Sequence, residues 1–269
     1  MQYIATRYKN QDSFAPSRLC TFALITIFFF FASLIKINAQ EAELKEAETA
    51  YIADQYDKAA EIYETLLKNY GNSYELLYNL GNAYYKAGKI ASAILNYERA
   101  LLIKHGDGDI QFNLEMAKQM TIDKIEPNNE FFLAEWFRGV QNMIGVDSWA
   151  TVGIFSFVMF IVCLVLFFFS KWMRLRKTGF YLGILLFIMV IFANVFAYNQ
   201  KKELIDRRGA IVFTPTVTVK SSPDNSGTDL FVIHEGTKVF IKNTVGDWNE
   251  ISLEDDKVGW VQKKDITVI

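Results

Sequence analysis

Hydrophobic positions follow three different patterns along the chain. Between Gln40 and Met120, apolar and small residues recur at helical spacing. The spacing is clearest in Asn79 to Leu101, NLGNAYYKAGKIASAILNYERAL, where it stops at a Gly-Lys turn and resumes. That period predicts paired amphipathic helices. Three stretches, Phe22 to Ile35, Trp149 to Phe169 and Phe180 to Tyr198, are apolar and carry no charged residue. The last two, at about 20 residues each, are long enough to cross a bilayer core. From Ala210 onward the period changes to two. Short runs such as VTVKS, KVFIKN and WNEISL alternate with the turn-rich SSPDNSGTD, HEGT, VGD and EDDKVG, which predicts a small all-β barrel. The fold class is therefore a multidomain membrane protein with an all-α array, a two-helix transmembrane hairpin and a small β domain.

The first apolar run differs from the others. A polar leader with Arg7, Lys9 and Arg18 precedes it, and KINAQ after it sets Ala39 where signal peptidase takes a small residue. Residues 1–39 read as a secretory signal peptide cleaved after Ala39; the alternative is an uncleaved anchor. Cys20 precedes the apolar run, whereas a lipidated cysteine would follow it. Cys163 lies inside the second run, so the exported parts hold no thiol to pair, and it reads as a small lipid-facing or packing residue.

Charge sets the topology. The connector SKWMRLRKTG, residues 170–179, carries Lys171, Arg174, Arg176 and Lys177 without an acid, whereas Glu130 to Asp147 is mainly acidic. The positive-inside rule places the connector in the cytoplasm and both flanking segments outside it, in the periplasm of an inner-membrane protein. QKKELIDRR, beyond the second span, argues the other way. Trp149, Trp172, Tyr181 and Tyr198 fall at the expected membrane interfaces.

Leu77, Leu80, Gly81 and Tyr84, followed by Ala93, Tyr97 and Ala100, reproduce the spacing of a tetratricopeptide repeat. A step of about 34 residues back lands on Ala47, Ala59 and Tyr63, and a step forward lands on Leu114, in a helix without its partner. Residues 40–121 thus resemble the tetratricopeptide family, with two repeats and one further helix. Such a stack buries its core only between neighbours and needs a cap. The segment NEFFLAEWFRGVQNMIG, within residues 128–146, either caps the array or lies flat on the membrane with Phe131, Phe132, Trp136 and Phe137 at the headgroups. The resemblance implies a peptide-binding groove lined by first helices. The matching positions are Glu75, Tyr78, Asn82, Tyr85 and Lys86, with Leu44, Glu48 and Tyr51 before them and Phe112, Met116 and Gln119 after. Tyr78 and Tyr85 either contact a ligand or only shield the helix. Lys86 alone does not make a carboxylate clamp.

Residues 209–269 resemble bacterial SH3-like domains in the Gly-Thr before a strand, the Trp248 strand and the Gly-Trp-Val at Gly259 to Val261. That resemblance implies attachment to cell-wall peptides or to proteins, with Trp248 and Trp260 as the candidate surface or as partly buried barrel residues. Motifs for chemistry are absent: His105 and His234 lack metal-ligand spacing, and the sequence has no phosphate loop, Gly-x-Ser-x-Gly elbow or His-Glu-x-x-His. No cofactor is expected, and neither an enzyme nor a nucleic-acid partner, since no basic face accompanies the net charge of −2. Asn194, the strongly polar residue of the second span, is expected to bond to the neighbouring helix or to lie near the outer interface.

The order of parts resembles BatE-type proteins of the Bacteroides aerotolerance operons. That resemblance implies a stress-related complex with membrane proteins bearing von Willebrand factor A domains. The expectation is a non-enzymatic, membrane-anchored scaffold; the rival is a cell-wall tether whose β domain grips peptidoglycan.

Overall fold

The computed structural model describes residues 40–125, 132–206 and 208–269; the expected signal peptide, with Cys20 and Ala39, and Phe131 lie outside them. The chain divides into two compact units at Tyr70/Gly71. The described part of the first is a helical pair, α1 (residues 40–52) and α2 (Tyr56–Tyr70). Asp54 makes the turn in the left-handed region at φ +58°, and the Tyr56 hydroxyl donates to its carboxylate. Ala47, Ala59 and Tyr63 are buried, as the repeat spacing requires.

The second unit opens with α3 (Tyr74–Lys86), α4 (Ile90–Ile103) and α5 (Gly108–Lys118). Ser73 Oγ caps α3 by accepting from Leu76 N at 3.2 Å, and Asp107 Oδ1 caps α5 by accepting from Ile110 N at 3.2 Å. These caps lie one repeat length of about 34 residues apart. Leu76, Leu80 and Ala83 on α3 recur as Ile110, Leu114 and Ala117 on α5, all buried. Gly88, between α3 and α4, is left-handed at φ +78° and answers Asp54 in the first pair. Gly81 lets α3 approach α4: a Cβ there would lie 2.6 Å from Cε1 of Tyr97. So α5 is a third opening helix, as the spacing predicts.

Next come α6 (Phe132–Gln141), α7 (Val146–Phe169) and α8 (Met173–Asp206). Both α7 and α8 are long and apolar enough to cross a membrane, and most of their apolar side chains are uncovered. They form a hairpin whose helices meet at small residues. A Cβ on Gly179 would lie 3.0 Å from the Cys163 carbonyl oxygen, and one on Gly183 would lie 3.6 Å from Cys163 Cβ. Cys163 is thus a buried packing residue. The non-helical connector is shorter than residues 170–179, because α8 begins at Met173 and takes in Arg174, Arg176 and Lys177. Asn194 Nδ2 donates to Val190 O in its own helix at 2.8 Å, rather than across the hairpin. Trp149 is buried against Phe196, with centroids 4.8 Å apart, and its Nε1 donates to Gln141 O at 2.8 Å.

The chain ends in seven antiparallel strands: β1 (Gly209–Val212), β2 (Thr216–Lys220), β3 (Asp229–His234), β4 (Lys238–Val245), β5 (Trp248–Ser252), β6 (Val258–Gln262) and β7 (Ile266–Val268). Their order is β3-β2-β6-β5-β4-β1-β7. The ladder leaves β3 and β7 as edges, so the expected barrel is an open sheet by pairing. It is nonetheless strongly curled, since every strand contributes to one core that includes Val212, Val219, Ile233, Val239, Ile251, Val261 and Ile266. Gly259 permits the curl: a Cβ there would meet Val219 Cγ1 at 2.4 Å.

Candidate functional site

The first-helix positions divide between the units. On α1, Leu44 and Tyr51 are half-buried and Glu48 is exposed, and the Tyr51 ring stands edge-on to Tyr56 at 5.3 Å. Burial pushes the Tyr63 hydroxyl up to about 12, with Glu48 and Tyr51 adding to the effect.

In the second unit, Tyr78 and Asn82 belong to an internal network. Asn82 Oδ1 accepts from the Tyr97 hydroxyl at 2.7 Å and from Asn113 Nδ2 at 2.9 Å, and Asn113 Nδ2 also reaches the Tyr78 hydroxyl at 3.0 Å. The network ties α3 to both α4 and α5. Its members therefore fix the packing of the three helices, and the oxygen of Asn82 that would meet a ligand backbone is already bonded. Glu75 is exposed; its burial is slight, and hydrogen bonds from Tyr74, its own backbone and Ser73 hold its carboxyl below the usual range. Of the remaining positions, Glu75, Lys86, Phe112, Met116 and Gln119 are exposed. Tyr85 is half-buried, whereas Phe112 is 66% exposed and Met116 sits one turn further on the same face.

The structure also joins two parts that the sequence presents as separate. The residues after α5 and the outer side of α4 dock onto the sheet. Asp123 Oδ2 accepts from His234 N and from the Thr237 hydroxyl, each at 2.6 Å, and Oδ1 pairs with His234 Nδ1 at 2.8 Å. Burial pushes the Asp123 carboxyl up, but the bonds from Thr237 and His234 outweigh it and hold the group below the ordinary carboxylate range. Gly236, left-handed at φ +88°, lets the β3–β4 turn approach Thr121: a Cβ would come within 2.6 Å of Thr121 Cγ2. Ile125 packs against the sheet core.

Beside this turn, Glu98 on α4 is only 7% exposed and sits between two cations. Lys238 Nζ lies 2.7 Å from Oε2 and Lys118 Nζ lies 3.6 Å from Oε1. Burial lowers Lys118, yet Glu98, Glu115 and Glu254 together raise it. Arg99 donates to the Val268 carbonyl at 2.7 Å. A cleft of about 390 Å³ at this joint is lined by residues that include Glu115, Lys118, Asp123, Thr237 and Lys238.

Sequence reasoning missed Asp123, Glu98 and Asn113, and it named Tyr78 and Asn82 only as groove positions and His234 only as lacking metal-ligand spacing. The one available signal was HEGT, whose His234 and Thr237 supply all three bonds to Asp123. The docked sheet leaves the face bearing Phe112 and Met116 open.

On the sheet, Trp248 pairs with Gln262 and Trp260 with Glu250. Both rings are half-buried on the face opposite the core, since their neighbours Asn249 and Val261 point inward and are buried. Lys220 of β2 stands opposite Trp260. The two candidate tryptophans thus share one outer surface. Among the described residues, no three His, Cys, Asp or Glu side chains gather as a metal site.

No curated protein matches the chain. A family model described as tetratricopeptide repeat matches residues 50–114. The match runs from the end of α1 into α5, through the caps and left-handed turns that recur one repeat apart, so the helical segment is similar to that family over these residues.

Proposed function

We propose that the protein is a non-enzymatic, membrane-anchored scaffold that binds protein partners on the first-helix face of its array. The observation that carries this reading is the exposed face of Phe112 and Met116 on α5, a helix tied to α3 and α4 by the Tyr97–Asn82–Asn113 network. Tetratricopeptide repeats in general mediate protein–protein contacts, and an exposed aromatic and methionine on one helix face suit an apolar segment of a partner. In this reading α7 and α8 cross the inner membrane twice, and the array and sheet lie on the same, periplasmic side. The joint through Asp123 and His234 supports a common side, because the two segments that dock flank the hairpin. The resemblance to BatE-type proteins makes the natural partners membrane proteins with von Willebrand factor A domains in a stress-related complex.

The rival tether reading rests on the outward pair Trp248 and Trp260, with peptidoglycan as the ligand of an SH3-like domain. One experiment separates the two: purification of the full chain from gently solubilised membranes, with Phe112→Ala/Met116→Ala compared with Trp248→Ala/Trp260→Ala. The scaffold reading expects the first pair to deplete co-purifying membrane proteins by about tenfold, the equivalent of roughly 1.4 kcal/mol, and the second to leave them in place. Unchanged partners in the first pair, together with sedimentation on peptidoglycan lost in the second, would overturn it.

A further inference from the structure

We infer that α6 is embedded beside the hairpin with its free apolar face among lipid acyl chains, as a third membrane-contacting element. This rests on the reading that α7 and α8 cross a bilayer. Successive helical residues turn by about 100°, which splits the apolar side of α6 into two arcs. One arc, with Phe137, Val140, Gln141 and the following Ile144, is spent on the hairpin. The Phe137 ring lies 4.9 Å from Phe196 and 5.8 Å from Phe192, and Val140 and Ile144 pack against the cluster of Trp149, Ala193 and Phe196. The attachment is polar as well. Gln141 O accepts from Trp149 Nε1 and, at 2.7 Å, from Gln200 Nε2, which also donates to Ile144 O at 3.0 Å; Gln200 is fully buried. The other arc holds Phe132 and Trp136, 72% and 60% exposed, and Leu133, in line with the first arc but one turn before Phe137, is 55% exposed.

Depth decides what covers that arc. Gln141 sits beside Asn199 and Gln200, at the polar end of α8, while Phe137, one turn earlier, sits beside Phe196 and Phe192. The end of α6 from Phe137 to Gln141 is therefore held at the level of Phe192 to Gln200, where the second span of the sequence ends, and Trp136 is one residue from it. At that depth the uncovered Trp136, with Phe132 one turn before it, adjoins the uncovered apolar surface of α8, which includes Phe192 and Val195. A surface contiguous with a bilayer-length apolar face meets the same solvent, and aromatic rings suit its boundary. Arg138, exposed on the remaining arc, faces away from the lipid.

The test is nitroxide scanning of the full chain in phosphatidylcholine–phosphatidylglycerol vesicles. Single cysteines are placed by Phe132→Cys, Trp136→Cys and Arg138→Cys, with Phe157→Cys in mid-α7 as the control and both native cysteines replaced by serine. Collisions with oxygen should exceed collisions with a water-soluble nickel chelate at 132, 136 and 157, and the order should reverse at 138. Nickel collisions at 157 would sink the membrane reading itself. Oxygen collisions at 157 with nickel collisions at 132 and 136 would overturn the inference alone. Labels at 132 and 136 that meet neither reagent would mean a protein surface covers α6, which also overturns it. A check without cysteines is quenching by brominated lipid: Trp136→Phe should remove a quenchable fraction of the tryptophan emission, and an unchanged fraction counts against the inference.

Discussion

Gly81 shows how one missing Cβ sets a helix spacing. Tyr97, which fills the space beside it, is 1% exposed and has its hydroxyl bonded to Asn82, so it cannot swing aside. Gly81→Leu should therefore destabilise the array by roughly 1 to 3 kcal/mol or more, read as a lower thermal midpoint of the full chain. Gly88→Ala has open space but a left-handed backbone, and should cost only about 1 kcal/mol; equal losses would mean the register of the repeat is wrong. Asp123 makes a prediction about pH. Its carboxyl is held below the ordinary value, so its contribution to the joint is fully present above about 4 and is lost as pH falls through the lower folded value. Hydrogen-exchange protection over residues 121–125 and 231–240, taken relative to the intrinsic rate at each pH, should fall on acidification in the parent. In Asp123→Asn it should be low already and flat with pH.

Elements differ in how far the sequence exposes them. The helical period, with Gly81, Ala93 and the Gly-Lys turn at Gly88, let the array be read before any coordinate, and the caps Ser73 and Asp107 and the left-handed Asp54 and Gly88 then fell on the same repeat length. The strands were legible from alternation, but not the open order of the sheet, because pairing β1 with both β4 and β7 depends on contacts far apart in the chain. The groove was legible only in part. Spacing alone places Tyr78 and Asn82 on the ligand face, and it cannot tell that Asn113 would bond to both from the next repeat. The joint was hidden altogether, since a buried ion pair such as Glu98 with Lys238 leaves no period in a single sequence. That pair makes an element-scale prediction. Glu98→Ala leaves Lys238 and Lys118 facing each other without their shared carboxylate, and should loosen the sheet from α4 by about 1 to 3 kcal/mol. Accelerated proteolysis of the chain on either side of the hairpin is the readout, and Glu98→Gln should fall between.

For the whole molecule, topology is the property on which the scaffold reading depends. A reporter active only outside the cytoplasm should be active when fused after Met120 or after Ile269 and silent after Arg176. The joint sharpens this expectation. Because Asp123 and His234 touch, fusions on either side of the hairpin must agree with each other whichever side they report. Disagreement would mean that α7 and α8 do not both cross the membrane. Agreement with an active fusion after Arg176 would invert the protein and bring its groove into the cytoplasm.

That contact also constrains the order in which the molecule is made. Asp123 leaves the ribosome 111 residues ahead of His234, and in the membrane reading both spans must be inserted before the two can meet. Closing so long a loop is slow relative to forming the local helices. During synthesis the array should thus be complete while Ile125 is still uncovered, and the joint should be among the last contacts to form. A nascent chain halted inside α8 would carry a finished groove on an unanchored base, able to bind before it is able to hold its position.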